Sequence, residues 1–175
     1  LQTKPVTGLL LTSTNTQMTN RIEYRKGDLF SYVPGYHTIL AHGVNCQGVM
    51  GSGVAKTFKE KYPRAFDDYI HFLKCFKDNY SHAPLGEVCF THVGNDLELV
   101  SMFTQEFYGK DGKKYMSYEA FFNSFRRVAD YYEESTIVMP KIGAGLGGGD
   151  WEIIEGLINI ILENRPKVDV IVFEL

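Results

Sequence analysis

The sequence predicts an α/β fold, a three-layer α/β/α sandwich with a mixed central sheet. Short apolar strand patterns alternate with helical patterns after residue 20, which is typical of a sheet covered by helices on both faces. Two of the strands are separated only by Gly94-Asn95-Asp96, a hairpin signal. The 175 residues suit one domain, expected over 21–175. The Thr-, Ser-, Asn- and Gln-rich segment 1–20 is expected to be a poorly ordered arm or the remnant of a tag.

The first half of the chain predicts four strands and two helices. Residues 22–25 form a short strand pattern, and 37–45 predict a strand that is buried on both faces. Residues 54–62 have helical spacing, and Pro63 suits the first turn of a second helix. The apolar face of that second helix consists of Phe66, Tyr69, Ile70, Leu73 and Phe76. Strands at 87–92 and 97–104 form the hairpin.

The second half predicts two capped helices, each beside a strand. Ser117 is placed to cap a helix over 118–133, and Asp150 to cap a helix that Pro166 ends. The buried stripe of the first helix is expected to include Phe121, Phe122, Phe125, Val128 and Tyr132. Residues 136–139 and the β-branched segment 168–175 predict the strands.

Composition excludes several classes of protein. A net charge of −3 argues against broad capture of nucleic acid or anionic membrane, although it allows one anionic small ligand. The three cysteines have no C-x-x-C spacing, which predicts a reducing, cytoplasmic or nucleocytoplasmic location. The five histidines have no metal-ligand spacing, so neither a metal nor a cofactor is expected. No apolar run predicts a membrane span or a signal peptide.

Two glycine-rich loops are the main functional signal. GVMGSG at 48–53 and GAGLGGG at 143–149 each lie between a strand and a helix, where glycine lets the backbone approach a ligand and the helix offers free N–H groups. Together they predict a clamp for a diphosphate; the alternative is that they are simple turns. Val49 stands where a Walker motif needs lysine, and Glu174, 26 residues after Gly148, is too distant for a Rossmann fingerprint.

Several polar residues beside these loops have two possible roles. Asp28 can cap a helix or accept a hydrogen bond from an exocyclic amine, and Asn45 can form an Asx turn or bind a sugar hydroxyl. His42, within the buried strand, is either a core residue or a functional one. The lysine cluster is either a solvated loop tip or an anion-steering group; its members are Lys110, Lys113 and Lys114.

Three strings resemble one family. YRKGDLF at 24–30, ILAHGVNCQG at 39–48 with GSGVA at 51–55, and MPKIGAGLGGGDW at 139–151 resemble the motifs of macrodomains, in the same order and spacing. Within that family the chain is similar to the branch that contains the yeast ADP-ribose-1''-phosphate phosphatase and the terminal ADP-ribose protein glycohydrolases. The resemblance covers about residues 21–175.

The resemblance implies a binding site for ADP-ribose or ADP-ribose-1''-phosphate. Asp28 is expected to hold the adenine amino group, Phe173 to lie against the adenine or in the core, and Asn45 to lie near the ribose hydroxyls. The two loops are expected to hold the diphosphate and the distal ribose. The expected ligand-binding residues are Asp28, Leu29, Asn45, Gly51, Ser52, Gly53, Val54, Gly143, Ala144, Gly145, Leu146, Gly147 and Phe173.

The same resemblance distinguishes a phosphatase reaction from a glycohydrolase reaction. Members of the glycohydrolase type carry a lysine at the position of Gln105 and an acidic residue at that of Gly147, so this chain lacks both groups. The expected reaction is hydrolysis of ADP-ribose-1''-phosphate to ADP-ribose and phosphate, with His42 or Asn45 positioning water. The alternatives are removal of ADP-ribose from protein or nucleic acid, and non-catalytic ADP-ribose binding.

Overall fold

The computed structural model describes residues 21–174, so the predicted arm at 1–20 and Leu175 lie outside the described residues. The strands are β1 (Ile22–Lys26), β2 (Thr38–Val44), β3 (Val88–Gly94), β4 (Leu97–Phe103), β5 (Ser135–Pro140) and β6 (Val168–Glu174). The helices are α1 (Gly53–Lys61), α2 (Pro63–Asn79), α3 (Tyr118–Ala129) and α4 (Trp151–Leu162), with a 3₁₀ turn at Leu29–Ser31.

The six strands of the described chain form one mixed sheet, in the order β1-β6-β5-β2-β4-β3. Strands β3 and β4 are antiparallel, as the hairpin signal predicted, and every other neighbouring pair is parallel. Because the parallel strands β2, β4, β5 and β6 all end at one edge, the loops after them meet there.

Helices cover both faces of the sheet, which confirms the three-layer prediction. On one face Phe125 of α3 and Ile158 of α4 are fully buried in the larger core cluster. On the other face Phe58 of α1 and Tyr69 of α2 are fully buried. No helix within residues 21–174 is long and apolar enough to span a bilayer.

The two predicted helix caps are confirmed. The Ser117 hydroxyl accepts a hydrogen bond from the N–H of Ala120 (3.2 Å), and the Asp150 carboxylate accepts one from the N–H of Glu152 (2.9 Å). Each capping side chain accepts a hydrogen bond from one of the N–H groups in the first helical turn that would otherwise be unpaired.

Several predicted boundaries differ from the structure by one or two residues, and the end of α3 differs by four; two of the differences have a visible cause. Helix α3 ends at Ala129 instead of residue 133, because the chain turns away after Asp130 and the Tyr132 ring stacks on His37 with centroids 3.9 Å apart. Strand β2 begins at Thr38, one residue late, since His37 has a φ of 47°, which is incompatible with an extended strand.

Candidate functional site

A cavity of about 820 Å³ lies at the carboxyl ends of β2, β4, β5 and β6. This volume is in the usual range for a small-molecule site. Both glycine-rich loops contribute to its wall. The predicted site residues that line it are His42, Asn45, Gly51, Ser52, Gly53, Val54, Gly143, Ala144, Gly145, Leu146, Gly147 and Phe173.

The start of α1 is open toward this cavity. Ser52 occupies the N-cap position but its side chain makes no capping hydrogen bond, and Gly53 and Val54 of the first turn line the cavity. The helices α3 and α4, by contrast, are capped by side chains. The unpaired N–H groups and partial positive charge of α1 are therefore available to an anion.

The second loop adds further donors. Its ends are tied together, since the N–H of Gly149 donates to the carbonyl of Gly143 (2.7 Å) and the N–H of Gly148 donates to that of Gly145 (3.0 Å). The N–H groups of Gly145, Leu146 and Gly147 have no hydrogen-bond partner among residues 21–174. A pre-formed loop whose apical donors are free is suited to binding phosphate oxygens.

Glycine is required at some of these loop positions and optional at others. Gly143 has a φ of 78°, and a Cβ there would lie 2.6 Å from Cγ of Met116. Gly145 has no such φ, and a Cβ there would meet nothing within 4 Å. Backbone conformation and packing therefore demand glycine at 143, whereas they leave 145 free to vary.

Asn45 organises the first loop. Its Oδ1 accepts a hydrogen bond from the N–H of Gln47 (2.9 Å), which is the predicted Asx turn, and its Nδ2 donates to the carbonyl of Val49 (2.7 Å). The Tyr69 hydroxyl donates to the Asn45 backbone carbonyl (2.7 Å). Nδ2 carries two hydrogens, so one remains for a ligand. A catalytic role for Asn45 stays a prediction.

His42 is a buried residue at the floor of the cavity. Its ring stacks on Phe58 with centroids 3.9 Å apart, and its Nε2 lies 3.0 Å from the Ser101 hydroxyl. Burial lowers the pKa of His42 to about 3, so the ring is neutral near pH 7. Its Nδ1 has no hydrogen-bond partner within the described residues. A neutral ring can orient water but is a weak base at this pKa.

Asp28 and Leu29 lie outside the cavity wall. Asp28 is exposed and caps the 3₁₀ turn, its Oδ1 accepting from the N–H of Phe30 (2.9 Å), whereas Leu29 is fully buried in the core. The adjacent Gly27 donates its N–H to the carbonyl of Glu174 (3.2 Å), and Glu174 does line the cavity. Asp28 is therefore next to the β6 end of the cavity, and its adenine contact stays a prediction.

The structure adds cavity residues that were not among the predicted site residues, and it places one of the three cluster lysines, Lys110, in the cavity wall. Lys141 and Glu174 form an ion pair (2.6 Å), and this contact lowers the pKa of the Glu174 carboxyl. They line the β6 end, while Thr104, Tyr108 and Lys110 line the β4 end. Their position at the ends of β5 and β6 or in the loop after β4 was the available signal, because loops after parallel strands converge at one edge.

The two positions that depart from the glycohydrolase pattern both line the cavity. The Gln105 side chain donates from Nε2 to the carbonyl of Phe107 (2.7 Å). A Cβ at Gly147 would lie 2.9 Å from the carbonyl oxygen of Gly143, so the loop has no room for an acidic side chain there. The nearby Cys46 thiol is also unsuited to nucleophilic attack, since burial raises its pKa to about 12.

Comparisons with known proteins agree on one family and fold. The family model of the Macro domain matches residues 41–158. An ADP-ribose 1''-phosphate phosphatase of Debaryomyces hansenii is 30% identical over 168 residues, which cover 79% of this chain and 92% of that protein. A DNA ADP-ribosyl glycohydrolase of Mycobacterium tuberculosis is 27% identical, covering 87% of this chain but 42% of that protein. A macrodomain protein of Streptomyces coelicolor has a similar structure, with a TM-score of 0.73, 27% identity, and coverage of 88% and 99% of the two chains.

Proposed function

Because the chain belongs to the macrodomain family, we propose that it binds ADP-ribose in this cavity and hydrolyses ADP-ribose-1''-phosphate to ADP-ribose and phosphate. The observation that carries the proposal is the convergence of free backbone N–H groups on one cavity. They come from the uncapped start of α1 and from the apex of the second loop, at Gly145, Leu146 and Gly147. Such donors suit a diphosphate without needing net positive charge.

The order of the strands gives the bound ligand a direction. The two glycine-rich loops follow β2 and β5, which are neighbours in the middle of the sheet. Asp28 lies at the β6 side, and the family resemblance implies that it holds the adenine. We therefore place the adenosine at that side and the distal ribose toward β4. From β6 to β4 is three strand spacings, or about 14 Å, enough for the diphosphate and its flanking sugars.

The hydrolysis requires no nucleophilic side chain in the site, only groups that position the water and donate hydrogen bonds to the phosphoryl oxygens. Water adds to phosphorus, the bond from phosphorus to the oxygen on C1'' breaks, and ADP-ribose leaves with that oxygen as a hydroxyl. Positioning of the water and donors around the phosphoryl oxygens supply most of the catalysis in such a reaction. The neutral ring of His42 and the second Nδ2 hydrogen of Asn45 are the groups that orient the water.

Removal of ADP-ribose from nucleic acid or protein is the second candidate, and the mycobacterial DNA ADP-ribosyl glycohydrolase favours it. The neutral Gln105 and the crowded Gly147 argue against it, because neither supplies a nucleophile or a base. A cytoplasmic or nucleocytoplasmic location and the lack of broad nucleic-acid binding remain predictions. The second of these is tested by titration with unmodified single-stranded DNA.

Product analysis distinguishes the candidates. We expect phosphate release from ADP-ribose-1''-phosphate at high enzyme concentration, with weaker cleavage of ADP-ribose linked to glutamate. Robust cleavage of the glutamate ester without phosphate release would overturn the phosphatase assignment and leave the family intact. Tight ADP-ribose binding without any product would identify a binding module instead.

A further inference from the structure

The three lysines of the loop between β4 and α3 have different environments. Lys113 pairs with Asp111 (3.1 Å), and the Lys114 ammonium lies 3.8 Å from the centre of the Tyr118 ring. Lys110 lines the cavity and has no ion pair or hydrogen bond within residues 21–174. The three lysines therefore do not act as one charged patch, and Lys110 differs from the other two because it lines the cavity.

The loop that carries Lys110 is fixed at its base and along its length. A bridge between Gln105 and Met116 closes it. The Tyr115 hydroxyl donates to Asp111 (2.8 Å), and a Cβ on Gly109 would lie 2.2 Å from that hydroxyl oxygen. The N–H groups of Tyr115 and Met116 both donate to the carbonyl of Gly147 (2.9 and 3.0 Å). The loop is therefore held against the second glycine-rich loop at Tyr115 and Met116, and Lys110 lies between Gly109 and Asp111, which both contact Tyr115.

Among the residues that the structure describes, Lys110 is also the uncommitted cation of the cavity wall. The other lysine that lines it, Lys141, is paired with Glu174 at the opposite, β6 end. Lys110 follows β4, where the distal ribose and its C1'' substituent lie if the proposed function holds. A terminal phosphate monoester adds between one and two negative charges beyond the diphosphate. Backbone N–H groups serve the diphosphate in the middle of the cavity, so the terminal phosphate requires its own partner.

We propose that Lys110 binds the terminal phosphate of the substrate and so distinguishes ADP-ribose-1''-phosphate from ADP-ribose. Its ammonium donates hydrogen bonds to the non-bridging oxygens of the phosphoryl group. The contact is lost when phosphate departs, so the product is held less tightly than the substrate. This inference rests on the proposed function, because it requires the distal end of the ligand to lie beside β4.

The test compares Lys110→Ala with the wild type, using calorimetry against ADP-ribose and ADP-ribose-1''-phosphate together with phosphate release. Lys110 is exposed, so its truncation should leave the melting temperature unchanged. We expect affinity for ADP-ribose-1''-phosphate to fall about tenfold or more, as for the loss of a charge-assisted hydrogen bond. ADP-ribose affinity should change less than about twofold. Lys110→Arg should restore most of the preference.

Lys114→Ala is the matched control, since Lys114 is a neighbouring loop lysine that lies over Tyr118. It is expected to behave as the wild type toward both ligands. An unchanged preference in Lys110→Ala, or an equal loss for both ligands, would overturn the assignment. Because calorimetry needs no turnover, the assignment is tested even when the wild type releases no phosphate, a result that would refute the phosphatase proposal alone.

Discussion

The buried histidine makes a quantitative prediction about acid stability. Unfolding exposes His42, which then binds a proton near its ordinary pKa of 6.5, whereas burial in the folded protein lowers the pKa to about 3. Between these two values the unfolded chain carries the extra proton. The contribution of the neutral His42 ring to the free energy of unfolding is therefore complete above pH 6.5, and it is lost as the pH falls toward 3. From about pH 6 to about pH 4 the loss from this one group is about 2 to 3 kcal/mol.

The matched variant is His42→Phe combined with Ser101→Ala. Phenylalanine keeps an aromatic ring against Phe58, and removal of the Ser101 hydroxyl avoids leaving it without its partner. Chemical denaturation at about pH 6 and about pH 4 then measures the free energy of unfolding of both proteins. Carboxylates such as Glu174 titrate in both, so the difference between the two pH dependences isolates the imidazole.

We expect the double variant to lose about 2 to 3 kcal/mol less than the wild type over that interval. Equal losses would mean that the folded histidine titrates normally, and would refute both its burial and its neutral role in the site. Turnover is measured beside stability. A variant that folds normally but turns over slowly assigns the ring to water positioning, while unchanged turnover leaves His42 as a core residue.

Four further predictions concern the cavity. Calorimetry should show ADP-ribose binding far more tightly than adenosine, and equal affinities would defeat the diphosphate clamp. Asp28→Ala should weaken ADP-ribose binding by about 1.5–3 kcal/mol while ribose-5-phosphate binding is unchanged; a parallel loss would restrict Asp28 to capping. Asn45→Ala should lower phosphate release at least about tenfold, because the first loop loses its hydrogen bonds to the amide. Gly143→Ala should lower the melting temperature, because a Cβ there meets Met116 at 2.6 Å, whereas Gly145→Ala should melt like the wild type.

Most of the fold was predictable because its signals are local. Helix caps, the hairpin turn and buried strands depend on residues within a few positions of one another, as Ser117 and Asp150 show. The early end of α3 could not be predicted from local signals, because it depends on the Tyr132 ring stacking on His37, which is distant in sequence. Tertiary contacts of this kind override local preference.

The site was predictable to a similar degree. Glycine loops after strands identify the cavity, but not which glycine has a positive φ, as the contrast between Gly143 and Gly145 shows. The sequence also did not show that Lys110 has a different environment from its two neighbouring lysines. That difference depends on where Asp111 and the Tyr118 ring lie in space.

The uncapped start of α1 has an evolutionary consequence. Its anion-binding groups belong to the main chain, which is retained when most side chains change. Selection can therefore alter side chains at the β4 end of the cavity, such as Gln105 and Lys110, without rebuilding the proposed diphosphate site. The relatives described above, a phosphatase that is 30% identical to this chain and a DNA ADP-ribosyl glycohydrolase that is 27% identical, are named for different reactions, as one fold with variable side chains around its cavity allows.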